Sequence, residues 1–231
     1  MEQTIKITNV LSDPTRFNIY QFITKEHREV TAQEIADNFD IHPNVARLHL
    51  SKLEDVKMLA SAIKKTGKGG RPSRFYRLSD NVIELQFPYR DYKLLAKLSI
   101  QAMQSLGLVG KKALLETGKR WGSDLVTHQV AGKKNDGMTL DEKLELLKEA
   151  AGIAGFYPEV NYNQQESKVI LQIHNCPFKE VATQEPKSIC QMHYAFVYGM
   201  FTVLFNNVDL IEKEIMTSGC ATCNYEAVLV K

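Results

Sequence analysis

Between Ser12 and Met58 the chain carries three helix start signals in close succession, and a segment that does so has few ways to fold. Ser12 or Asp13 caps a helix whose first turn holds Pro14, a position where the missing N–H costs nothing. Phe17, Ile19, Tyr20 and Ile23 give that helix an apolar face as far as about His27. Thr31 with Glu34 three residues on has the spacing of a capping box, and Ile35, Ala36 and Phe39 form the buried side of a second, shorter helix. After a tight connection at Asp40-Ile41-His42, residues from Pro43 to about Met58 read as a third helix. Two short helices joined by a tight turn make a helix-turn-helix.

The third helix separates into two faces. Ala46, Leu50 and Leu53 fall at i, i+4, i+7 and should pack on the first two helices. Asn44, Arg47, Leu48 and Ser51 fall on the other side, with Lys52 beside them. Asn and Arg can bond in bidentate fashion to adenine and guanine edges in a major groove, and Leu48 suits a thymine methyl. Asn44 equally suits a helix cap, and Arg47 a solvated surface.

Seven lysines and arginines, and no acidic residue, occupy Lys57 to Arg77. Strands are expected at about Ala60 to Thr66 and Arg74 to Leu78, joined by Gly67-Lys68-Gly69-Gly70-Arg71-Pro72, where glycine admits the positive φ that a hairpin needs. A basic hairpin after a reading helix is a wing, and Lys64, Lys65, Lys68, Arg71 and Arg74 are its candidates for phosphate or minor-groove contacts. A nucleotide-binding loop is excluded, because the GxxxxGK[ST] spacing is absent and no helix follows to hold phosphate. Residues 1–80 carry 13 basic and 10 acidic side chains, against 16 and 17 in the rest, so the first part is the electrostatic partner for DNA.

The strings "LSDPTRFNIYQFI", "NVARLHLSKLEDVKML" and "GRPSRFYRLS" resemble the ArsR-type winged-helix transcriptional regulators, and more narrowly the SufR-like iron–sulfur subgroup. The likeness is good over about the first 80 residues and looser beyond. The arsenic-sensing cysteine pair of such reading helices is absent, since the first cysteine is Cys176. Any sensing must come from the remainder of the chain.

That remainder reads as α+β. The expected organisation is a winged helix-turn-helix domain at 1–87, a helical dimerisation linker at 88–130 and a sensor domain at 131–231 built from a small antiparallel sheet with helices. Phe87-Pro88 marks the first boundary. Tyr92, Leu95, Leu98, Ile100 and Met103 give a helix over about 89–106 that serves as the dimer seam, with Gly107 and Gly110 breaking or kinking it. A further helix runs from Lys111 to about Val126. Thr139 caps one that reaches about Ala151. "YPEVNYN" and "KVILQIHN" alternate as paired strands, a long apolar helix spans about Ser188 to Phe205, and strands close the chain at about 208–216 and 225–230. No signal peptide or membrane-spanning run is legible, so a cytoplasmic location is expected.

The four cysteines lie at Cys176, Cys190, Cys220 and Cys223. Cys176 leaves a strand, Cys190 falls in the first turn of the long helix, and Cys220 and Cys223 sit on a glycine-led turn whose spacing lets two sulfurs grip one ion. Brought together they make a four-thiolate site for zinc or an iron–sulfur cluster, and residues alone do not choose between them. Buried inert thiols remain an alternative. So does a thiol-disulfide enzyme using the C-x2-C pair, although no general base, GxSxG or HExxH accompanies it. The resemblance implies a cluster: "NCPF…ICQMH" is similar to the matching SufR-like region, where cysteines hold one that changes DNA affinity. Glu180 stands where some relatives carry a further cysteine, so Cys223 supplies the missing sulfur or His193 replaces it, with His174 a weaker candidate. The expected function is therefore a non-enzymatic, homodimeric regulator, a repressor gripping double-stranded DNA at an inverted repeat and modulated by an iron–sulfur cluster or, alternatively, governed by an organic effector with zinc in a structural role.

Overall fold

The computed structural model describes residues 2–64, 72–130, 137–205 and 207–229. The chain divides into two compact units, Met1–Arg90 and Asp91–Lys231.

The first unit opens with α1 (Glu2–Leu11), which the sequence did not announce because no capping residue precedes it; Ile7 and Val10 are its buried side. In α2 (Pro14–Glu26) the Asp13 carboxylate caps the Arg16 N–H, and the left-handed His27 ends the helix. Ile19 and Ile23 enter the core, whereas Phe17, expected on the same face, is 41% exposed. A short strand, β1 (Val30–Thr31), leads into α3 (Ala32–Phe39), where Thr31 accepts from the Glu34 N–H as its spacing predicts. In α4 (Pro43–Asp55) the cap is the Nδ1 of His42, and Asn44 occupies the first turn. Ala46, Leu50 and Leu53 are fully buried against α2 and α3. Truncating one such leucine to alanine costs about 2–5 kcal/mol. The hairpin strands β2 (Leu59–Lys64) and β3 (Ser73–Leu78) pair from Leu59–Leu78 to Lys64–Ser73, and β1 adds to the free edge of β3 through Val30–Tyr76. Lys65, Lys68 and Arg71 lie outside the described residues.

The second unit begins with α5 (Tyr92–Ser105) and α6 (Leu108–Val130), so most of the stretch expected as a linker is part of this unit. Gly107, at φ +61°, separates the two helices as expected. Gly110 breaks nothing. It lies inside α6, and a Cβ there would stand 1.7 Å from the Met103 carbonyl oxygen, so its bare backbone lets α6 close on α5. The capping box at Thr139 and Glu142 starts α7 (Leu140–Ile153). Strands β4 (Pro158–Asn163) and β5 (Lys168–Ile173) form the anticipated hairpin. After the short α8 (Lys179–Ala182) comes α9 (Pro186–Leu204), then β6 (Val208–Glu214), a 3-10 turn at Met216–Ser218 and β7 (Cys223–Leu229). The sheet is antiparallel in the order β4-β5-β7-β6.

What positions α9 is a close crossing with α6. A Cβ on Gly122 would lie 1.9 Å from the Phe196 carbonyl oxygen, and one on Gly199 would lie 2.1 Å from that of Lys119. Only glycine allows backbones to approach so closely. The Ser123 hydroxyl donates to the Gly199 carbonyl at 3.1 Å across the same seam.

Candidate nucleic-acid interface and thiol pocket

On the first unit, α4 presents Asn44, Arg47, Leu48 and Lys52 to solvent, with Ser51 half-buried. Leu48 is 56% exposed, an apolar side chain that nothing in its own unit covers. The Arg47 guanidinium donates to the side-chain amide oxygen Oδ1 of Asn44 at 2.6 Å, which ties the two candidate base readers together. Between α3, α4 and the hairpin lies an open groove of about 870 Å³, lined by Thr31, Gln33, Arg47, Ser51, Ile63 and Arg74 among others. Thr31, Gln33 and Ile63 escape sequence reasoning because the groove arises only when the hairpin folds back beside α3.

Two hairpin cations are already answered by carboxylates. Arg74 makes a two-pronged contact with Glu54 at 2.9 and 2.8 Å, donates to Ser61 at 2.7 Å and covers the Tyr76 ring. As it stands, Arg74 anchors the hairpin on the end of α4. Lys64 pairs with Glu29 just before β1. Behind the exposed face, His49 is 9% exposed with its Nδ1 3.9 Å from Asp13 and no hydrogen-bond partner for that nitrogen. Burial lowers the His49 pKa, and the Asp13 carboxylate opposes the shift.

In the second unit, three of the four cysteines line one cavity. Cys176 follows β5, Cys190 lies on α9 and Cys223 is the first residue of β7; with His193 they line one cavity of about 10 Å³, room for about one water. Two local expectations need correction. Because α9 begins at Pro186, Cys190 falls in its second turn, beyond the uncapped N–H groups that favour a thiolate. Cys223 belongs to the strand, where it alternates inward with Tyr225 and Ala227, and is not on the turn. Cys220 stays on the turn, half-buried, and is not among the residues lining the cavity.

The sulfurs are held by weak contacts. The Met216 N–H donates to Cys223 Sγ at 3.4 Å, and Cys190 Sγ lies 3.3 Å from the Thr217 hydroxyl. All four thiols are free. Burial pushes the Cys176 thiol up to about 11 and raises that of Cys223. His193 is 3% exposed, edge-on to Phe156 (centroids 4.9 Å apart), Phe178 and Tyr225. Its Nε2 has no hydrogen-bond partner, a deficit that costs about 1–3 kcal/mol. Burial lowers its pKa to about 4, so the ring is the neutral form that ligates metals. His174, by contrast, lies on Glu159 at 3.1 Å. Among the described residues no three His, Cys, Asp or Glu side chains stand, as placed, close enough to share one ion. The chemistry of the donors, three thiols and one imidazole, fits a thiolate-rich centre.

Among the described residues no helix is long and apolar enough to cross a membrane. No curated protein matches the chain. Among solved structures it is similar to trafficking protein particle complex subunit 3 from Naegleria fowleri covalently bound to palmitic acid, at 14% identity over 60% of this chain and 97% of that one, with a TM-score of 0.42. It is also similar to the phenol-responsive sensory domain of the transcription activator PoxR with phenol, at 18% identity over 78% of this chain and 88% of that one, with a TM-score of 0.41. Residues 127–227, which include all four cysteines, match the family Methanogen output domain 1. Residues 11–62 match the family described as a helix-turn-helix domain, which supports an ArsR-type, DNA-binding regulator of transcription.

Proposed function

We propose that the chain is a homodimeric transcriptional repressor that grips an inverted repeat of double-stranded DNA in the cytoplasm and whose C-terminal thiol pocket, by taking up a metal centre, changes that grip. The observation that carries the DNA half is the exposed face of α4, with Arg47, Leu48 and Ser51 beside a groove whose other wall is the hairpin. That hairpin acts as the wing. Helix-turn-helix proteins read two half-sites one DNA turn apart through a two-fold dimer. The α5 helix, which buries none of its residues and exposes Tyr92, Leu94, Leu95 and Leu98, is the seam for the second copy.

The sensing half rests on Cys176, Cys190 and Cys223 facing one cavity. An iron–sulfur cluster, with Cys220 as a further ligand, is the centre implied by the SufR-like resemblance. A second candidate is zinc, favoured by a cavity of about 10 Å³ and by an imidazole nitrogen in its wall. When bound, either centre supplies bonds that tie the end of β5, α9 and the start of β7 together. It shifts DNA binding only by its differential affinity for two arrangements of the protein.

Anaerobic purification followed by iron, sulfide and zinc analysis, with gel shifts before and after chelation, tests the proposal. Brown protein with iron and sulfide supports the cluster, and colourless protein with stoichiometric zinc supports the second candidate. Protein that binds DNA but takes up neither metal overturns the sensing half alone.

A further inference from the structure

Building on the second candidate above, a single zinc-type cation in place of a cluster with Cys220, we infer that the ligand set is asymmetric: Cys176, Cys190, Cys223 and the Nε2 of His193 are the four donors, and Cys220 stands outside. Three sulfurs and one imidazole line the cavity, and Cys220 does not. The Nε2 atom is buried without a partner inside a wall of rings that offers it none. Of the hydroxyls lining the cavity, that of Tyr225 donates to Glu212 at 3.1 Å and that of Thr217 lies 3.3 Å from Cys190 Sγ.

The topology supports the same four. Cys190 and His193 are three residues apart on α9, the spacing that puts two side chains on one face. Ile173 at the end of β5 pairs with Cys223 at the start of β7, so Cys176, three residues on, emerges at the same end of the sheet. Two donors therefore come from a helix face and two from the sheet end opposite it. Charge points the same way. Around a divalent cation, three thiolates and a neutral imidazole leave a net charge of −1 and four thiolates leave −2, and the larger charge costs more to bury even with Lys179 in the lining. Three Cys and one His is an established donor set for tetrahedral, borderline-soft divalent cations. Binding releases the three thiol protons to solvent.

The test loads the reduced full-length chain with Co2+ and follows the sulfur-to-cobalt charge-transfer absorption, with Zn2+ competition for affinity. Cys220→Ser is expected to leave absorption and affinity within about twofold of the parent. His193→Phe, which suits the aromatic surroundings, is expected to weaken Co2+ at least about 100-fold. His193→Cys is expected to restore binding with absorption raised by about one third, as a fourth sulfur joins. If Cys220→Ser lowers the absorption by about a quarter while His193→Phe leaves it and the affinity unchanged, the four donors named here are wrong and the four-thiolate set holds. A parent chain with native circular dichroism that takes up no Co2+ overturns the metal centre itself, and the ligand set with it.

Discussion

Arg47 stands in solvent with its guanidinium on Asn44, whereas His193 lies 3% exposed among Phe156, Phe178 and Tyr225 with a nitrogen that nothing answers. The first unit keeps its chemistry on the surface, where charges are solvated and cheap to hold. The second keeps its chemistry inside, where each polar atom is costly unless something binds it. Even the buried imidazoles differ in this way: His49 has the Asp13 carboxylate 3.9 Å away, and His193 has rings and sulfurs. A surface of charges suits a polyanion, and an interior of soft donors suits a small cation.

Four experiments break or sharpen that contrast. The largest effect is expected at the seam that holds the interior in shape. Gly122→Val places carbon where the Phe196 carbonyl oxygen already sits, and should destabilise the second unit by about 3 kcal/mol or more, seen as a lowered melting transition in calorimetry. Next, Cys176, with its thiol pushed up to about 11 from 9.0, should alkylate about 100-fold more slowly near neutral pH than an unperturbed thiol, read by mass spectrometry of iodoacetamide-treated protein. Equal rates at all four cysteines would remove the buried pocket from the account.

On the surface, Arg47→Ala should cost about 1–3 kcal/mol of operator binding, concentrated at one base position, while Lys52→Ala, at an exposed cation of α4, should weaken all sequences alike and reduce the salt slope by about one. Gel shifts on an operator and a scrambled duplex separate the two. The smallest effect concerns acid. Burial lowers His49, so the unfolded chain takes up a proton before the folded one does, and the first unit loses stability as pH falls below about 6.5. Asp13 is held below 3.8, chiefly by the Arg16 N–H, so its contribution stays intact until far more acid conditions. Urea melts at pH 7.5 and 5 should show the loss in the parent and a flatter response in His49→Gln.

Much of the first unit was legible because its signals are local. Thr31 with Glu34, Asp13 before Pro14, and the i, i+4, i+7 stripe of Ala46, Leu50 and Leu53 each act within one or two turns of helix. The same holds for the capping box at Thr139 and for the hairpin from Pro158 to Ile173. What escaped depends on distant partners. Gly118, Gly122 and Gly199 look like ordinary helix-weakening residues until α6 and α9 are laid together. The groove beside Gln33 needs the hairpin in place. Cys223 was read as a turn residue because Gly219 lies nearby, although the alternation Cys223, Tyr225, Ala227 already marked a strand. The expectation of four converging thiols is matched only by a cavity that Cys176, Cys190 and Cys223 share, and the unanswered nitrogen of His193 is a fact of packing that no spacing reveals.

The glycine crossing has a mechanical corollary. With the Met192 and Phe196 carbonyls seated on Gly118 and Gly122, α9 has no clearance to roll about its own axis. Were the pocket to take up an ion as proposed, a pull on Cys190 or His193 would reach the 23-residue α6, about 35 Å long, through this crossing.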